Sequence, residues 1–182
     1  MNDMTQNRLI DISTAYEQAV ASVYARWREQ RETDMVGGLR QTLTTLLTIS
    51  DSSYSNKLYA RRSLSDDELL VLAEFFKLVE EHQIIVTYIQ LRSNLYQLIN
   101  KLPFTPAYLA QRMDIHYLTL TQRLKQPTSW KPEEVCLLGV TLQRISEEIT
   151  KLIVEPLPNP ANRPDVPDGN RSPGSSEHDW NG

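Results

Sequence analysis

LAQRMDIHYLTLTQRLKQPTSWKPEEVCLLG, residues 109–139, lies without a gap on LTTLLTISDSSYSNKLYARRSLSDDELLVLA, residues 43–73. Leu43, Ile49, Leu58, Ser63, Glu68 and Leu72 meet identical residues at Leu109, Ile115, Leu124, Ser129, Glu134 and Leu138. Leu47 meets Met113, Tyr54 meets Leu120, Asn56 meets Gln122 and Lys57 meets Arg123, so most apolar slots stay apolar and most polar slots stay polar. Self-similarity at one fixed offset, here 66 residues from Leu43 to Leu109, is the mark of a duplicated supersecondary unit. The same offset sets Val20 on Val86 and Val23 on Ile89, which extends the expected unit back into a preceding helix.

Each copy reads as a short helix, a tight turn and a second short helix, followed by a loop and a capped third helix. In the second copy the first helix is expected over 106–113 with Leu109, Ala110 and Met113 inward. Asp114-Ile115-His116 makes the turn, and the next helix covers 117–125 with Leu120 and Leu124 inward. Tyr117, Leu118, Thr121, Gln122 and Lys125 then face out. In the first copy Ser65-Asp66-Asp67-Glu68 has the capping-box form just before an apolar run, which starts the third helix.

Working outward, Leu9, Ile12, Tyr16, Ala19, Val20, Val23 and Trp27 recur every three or four residues and predict a long helix over about 5–31. Gly37-Gly38 breaks it. From Asp66 no proline or glycine intervenes until Pro103, so one long helix or two abutting ones are expected there. Six of the ten prolines fall after Val154, and 155–182 reads as a disordered Pro-rich tail. The expectation is an all-α chain of two tandem helix-turn-helix units, each preceded by a long helix. The first unit spans 1–80 with its motif at about 40–73, the second spans 81–154 with its motif at about 105–140, and the tail follows.

A net charge of −4 opposes a polyanionic partner at first sight, because non-specific DNA affinity comes from Lys and Arg neutralising phosphates. Its distribution reverses that reading. The tail carries −3, the windows 40–65 and 106–131 carry +3 each, and the rest of the body carries −7. Positive charge is concentrated on the two repeated motifs.

The stretch LAQRMDIHYLTLTQRLKQP resembles the Cro/repressor-type (lambda repressor-like) helix-turn-helix family, over 105–140 and more loosely over 40–73. The resemblance implies that the second helix of each motif enters the major groove of double-stranded DNA. It implies base-edge contacts from His116, Tyr117, Leu118, Thr121 and Gln122, with phosphate contacts from Lys125, Arg112 and Lys131. In the first copy it implies Ser52, Ser55 and Asn56 at the bases. Arg61-Arg62, directly after that helix, read either as a phosphate clamp or as a solvated basic turn. Two slots depart from the family: Thr48 and Asp114 stand where the turn favours glycine, and Thr44 stands opposite the small inward Ala110; Asp51 would repel phosphate unless it reads a cytosine amino group. The function expected is a sequence-specific DNA-binding transcription regulator, in the bacterial cytoplasm or nucleoid. The alternative is an interaction or oligomerisation adaptor that kept the fold and no longer binds DNA.

Other chemistry has little support in the chain. Cys136 is a lone cysteine in an apolar run, and His82, His116 and His178 lack metal-ligand spacing, so no disulfide, metal or cofactor is expected. No nucleophile elbow, phosphate loop or HExxH string occurs, and no enzyme is expected. No run approaches the length of a membrane span. Tyr16, Tyr24 and Trp27 are expected in the core or in a contact that joins long helices into a homo-oligomer.

Overall fold

The computed structural model describes residues 3–34 and 37–154, which form eight α-helices, one 3-10 turn and no strand. The first unit holds α1 (Asp3–Thr33), α2 (Gly38–Leu46), α3 (Asp51–Leu58) and α4 (Asp66–Phe75). The second holds α5 (Val79–Asn100), α6 (Pro106–Arg112), α7 (Tyr117–Lys125), the 3-10 turn Pro127–Ser129 and α8 (Pro132–Val154). The stretch from Asp66 to Lys101 is two helices. The chain turns between them at Lys77, whose φ of 57° ends α4. The expected tail at 155–182 lies outside the described residues.

Local chemistry starts each short helix. Ser50, Ser65 and Thr105 accept the amide hydrogens of Ser53, Glu68 and Tyr108, and Pro106 fills the first turn of α6. The capping box is complete, because the Glu68 carboxylate also accepts from Ser65 N–H at 2.8 Å. α2 has no side-chain cap from its N-cap residue. Gly37 stands there with φ 73°, and Asp34 reaches across to accept from Leu39 N–H at 2.8 Å.

The two copies are alike in backbone as well as in sequence. Thr48 and Asp114, 66 residues apart, adopt φ 54° and 53°. Each turn then closes the same way, with Ile49 N–H bonded to Thr44 O and Ile115 N–H to Ala110 O, both at 3.0 Å. Leu43, Leu47, Tyr54, Leu58, Leu64, Leu69 and Leu72 are buried, as are Leu109, Met113, Leu120, Leu124, Trp130, Val135 and Leu138 at the matching positions. The long helices keep a different register from the one expected. Ser13, Tyr16, Val23 and Trp27 of α1 correspond in burial to Ile85, Tyr88, Leu95 and Ile99 of α5, an offset of 72 rather than 66. The connection ahead of the repeat is six residues longer in the first unit, between one and two helical turns.

Packing interlocks the units. α1, which opens the first, packs on α8, which closes the second; α5, which opens the second, packs on α4, which closes the first; and α1 and α5 pack on each other. Reciprocal contacts of this kind are what a two-fold relation between copies produces. The buried residues of both units form one cluster, with Tyr16 and Trp27 inside it and Tyr24 packed against it. Where α1 meets α5, Tyr16 stacks on Tyr88 with ring centroids 3.9 Å apart, and the Arg92 guanidinium lies over the Tyr88 ring while paired with Asp66 of α4. Burial, with Asp66 nearby, pushes the Tyr16 hydroxyl up to about 12, and burial raises Tyr88 as well. The Tyr88 hydroxyl and Arg92 Nε are buried without a hydrogen-bond partner among the described residues.

Two outcomes are expected from these observations. A left-handed backbone costs a non-glycine residue about 1–2 kcal/mol, partly offset by the greater chain entropy glycine loses on folding. Thr48→Gly and Asp114→Gly should therefore each raise unfolding free energy by up to about 1 kcal/mol, Thr48 more because it is β-branched; a loss in urea melts would contradict this. Tyr88→Phe removes an unpartnered buried hydroxyl and should leave stability unchanged or higher, while Tyr88→Ala should cost about 3–5 kcal/mol. A Phe variant as unstable as the Ala variant would mean that the hydroxyl has a partner.

Candidate nucleic-acid interface

α7 carries the residues singled out in the sequence, and its fold explains their display. Leu120 and Leu124 are buried, fixing the helix on α5, α6 and the 3-10 turn. Tyr117, Leu118, Gln122 and Lys125 are left exposed, Leu118 to 66%. Thr121 is half-buried and its hydroxyl donates to Tyr117 O at 2.9 Å. His116 sits at the N-cap, where Nδ1 accepts from Leu118 N–H at 3.2 Å. That bond leaves Nε2 as the protonated donor of the neutral ring.

α3 is held differently. Its inward Tyr54 accepts from Trp27 Nε1 at 3.2 Å, with the two rings edge to face at 5.2 Å, and so ties α3 to α1. Ser52 is exposed and bonds Ser50, whereas Ser55 and Asn56 are half-buried. Asn56 O accepts the amide hydrogens of both Arg61 and Arg62, which closes the end of α3 and leaves these arginine side chains exposed.

Ion pairing divides the basic residues in a way composition does not reveal. Lys57 bonds Glu68 at 2.7 Å, and Arg123 clasps Glu134 through Nε and Nη2 at 2.8–3.2 Å. These are the same two slots of the repeat. Each glutamate also accepts a backbone amide at the start of the following helix, from Ser65 or Lys131. Each pair therefore pins the outward helix to the next one. Burial alone would raise the Glu68 carboxyl, but the bonds from Lys57 and Ser65 outweigh it and hold it below the ordinary value of 4.5. Arg40 pairs with Asp51 at 2.9 Å, so the charge expected to repel phosphate is met by a cation. Arg112 is engaged by exposed Glu148, which raises its pKa, and Lys131 approaches Glu133 at 3.9 Å. Among the described residues Arg61, Arg62 and Lys125 have no ion-pair partner.

The Lys57–Glu68 and Arg123–Glu134 pairs were legible as opposite charges retained at matching positions of both copies. Arg92 was not, since nothing local marks it as buried. Among the described residues no helix is long and apolar enough to cross a membrane, and no three or more His, Cys, Asp and Glu side chains are grouped to hold a metal ion. Comparison of the chain with known protein families, with curated proteins and with solved structures returned no match.

The Glu68 pair sets a pH dependence whose sign is fixed. A carboxyl with a lowered folded pKa contributes stability above its unfolded value, and that contribution is lost as pH falls through the lower folded value. Glu68→Gln, which keeps an acceptor for Ser65 N–H, should cost about 1–2 kcal/mol at neutral pH. The gap from the parent chain should narrow as pH drops below 4.5. A gap that stays constant down to pH about 2, taken from urea midpoints, would show that the carboxylate charge is not responsible.

Proposed function

We propose that the chain is a sequence-specific DNA-binding protein, a transcription regulator that places α3 and α7 in the major groove as the second helices of two helix-turn-helix units. The observation that carries this reading is the turn repeated at Thr48 and Asp114, with the same φ and the same closing hydrogen bond, each followed by a helix that buries two apolar residues. That is the architecture in which a second helix presents its outer face to a groove. On α7 the outer face offers Gln122 for an adenine edge, Leu118 for a thymine methyl and Lys125 for phosphate. On the first unit Arg61 and Arg62 supply the phosphate contacts.

One observation favours a second reading, a protein-interaction adaptor. Arg40, Lys57, Arg112 and Arg123 are tied to carboxylates, and Tyr108 of α6 and Tyr117 and Leu118 of α7 are exposed large apolar side chains. Retention on random duplex separates the two. DNA binding through Arg61, Arg62, Lys125 and Lys131 gives a log–log salt slope of about −3 to −4, whereas an adaptor is not retained at low salt. With a selected site in hand, Gln122→Ala should relax base preference by about 1–3 kcal/mol, and Lys125→Ala should weaken all sequences alike. Two unlike half-sites about 34 Å apart are expected, since the residues on α3 and α7 differ. A footprint unaltered by replacing Ser55 and Asn56 with alanine would assign DNA contact to the second unit alone.

A further inference from the structure

The two copies differ at one corner. In the second, Trp130 follows the 3-10 turn that packs on α5 and is 2% exposed. The matching residue of the first is Leu64, and beside it opens a cavity of about 230 Å³ lined by Tyr16, Val20, Tyr24, Leu69 and Pro132, together with Ser63 and Glu17. The repeat thus supplies its own control: one copy seats an indole at this corner and the other has a leucine and a space. The chain holds three tryptophans. Trp27 and Trp130 are buried, and the third, Trp180, lies in 155–182, outside the described residues.

We propose that Trp180 docks in this cavity, so that the C-terminal segment covers the Arg61–Arg62 corner. Three independent observations favour this occupant. The first is size: about 230 Å³ suits one bicyclic side chain and falls below the roughly 300–1,000 Å³ of small-molecule pockets. The second is charge. Trp180 is flanked by Glu177 and Asp179. Arg61 and Arg62, unpaired among the described residues, directly precede Ser63 and Leu64, and Arg28 lies over the Tyr24 ring at 5.7 Å. Glu17 is the acidic lining residue, and it provides an acceptor for the indole N–H, which a buried tryptophan needs.

The third observation is reach. Pro132 of the cavity begins α8 and Val154 ends it, so the start of the tail lies about 33 Å from the cavity along that helix. A coil of 26 residues, the number from Val154 to Trp180, has a root-mean-square span of about 25–30 Å, which the six prolines of this segment lengthen. A tether whose span matches the separation gives close to the highest local concentration of its end, in the millimolar range. A single side chain therefore suffices to occupy the site.

The test uses the full chain with ¹⁵N-labelled indoles, the Trp180 signal being assigned by its loss in Trp180→Ala. Docking predicts a Trp180 resonance displaced from the free-peptide position, with Trp180→Ala shifting backbone amides of Val20, Leu64 and Leu69. Leu64→Trp, which fills the corner with a resident indole as in the second copy, should return Trp180 to the free position. Should that variant fold poorly, Trp180→Ala still decides, because it alters no core residue. A Trp180 signal at the free position in the parent chain overturns the proposal, as does an unchanged set of amides in Trp180→Ala. Added indole that shifts the Leu64 and Leu69 amides while Trp180 stays free would assign the cavity to a small aromatic molecule and overturn it equally. The inference does not rest on DNA binding but bears on it: a tail docked about 90% of the time should weaken duplex binding about tenfold, restored in Trp180→Ala. Indole shifts without any duplex binding by either chain would reject the DNA reading and leave docking established.

Discussion

The structure turns on the crossing of α1 and α5, where Tyr16 stacks on Tyr88 and Arg92 lies over the same ring while paired with Asp66. This cluster joins residues of both units: Tyr16 and Asp66 belong to the first, Tyr88 and Arg92 to the second. It takes a guanidinium out of water, which is costly unless the charge is met, and Asp66 at the start of α4 meets it. Because Asp66 also sits at the positive end of that helix, the start of α4 is fixed to α5 and with it the position of the whole first motif. α8 lying on α1 completes the reciprocal arrangement, so neither helix pair is positioned without residues of the other unit.

On that scaffold each outward helix is held by a corner of the same design. A basic residue at the end of the helix, Lys57 or Arg123, meets a glutamate that simultaneously satisfies an amide at the start of the next helix. The carboxylate is shared between a cap and an ion pair, which ties the angle between consecutive helices to one side chain. The consequence for electrostatics is that total charge overstates what the surface offers. Lys57 and Arg123 are engaged in holding the fold, Arg40, Arg112 and Lys131 face exposed carboxylates, and Arg61, Arg62 and Lys125 remain without an ion-pair partner among the described residues.

The two copies are alike where packing demands it and differ elsewhere. The turn residues Thr48 and Asp114 are both non-glycine yet both adopt positive φ, because the buried Leu43 and Tyr54 on one side and Leu109 and Leu120 on the other over-determine the turn. The outward residues diverged, Ser52 against Leu118 and Asn56 against Gln122, as did the corner with Leu64 in place of Trp130. Differences at the surface and at one corner, on a common core, are where unlike partners of the two units are to be sought.

The sequence by itself determined the helices and the repeat. Apolar spacing located α1, the Ser65–Glu68 box located α4, and the 66-residue offset located both short helix pairs, since all of these depend on residues within a few turns of one another. It also marked the inward residues of α3 and α7, a buried Leu or Tyr every four residues, which leaves Ser52, Tyr117, Leu118, Gln122 and Lys125 exposed and Ser55, Asn56 and Thr121 half-buried. What only the tertiary structure decided was which charges are spent and how the units meet. Arg40 and Asp51 are eleven residues apart, Arg112 and Glu148 thirty-six, and Asp66 and Arg92 twenty-six. No local pattern couples such positions; they meet only because packed helices bring distant turns together. The offset of 72 between α1 and α5 has the same origin, set by which faces of two long helices meet at Tyr16 and Tyr88 rather than by the repeat that follows them.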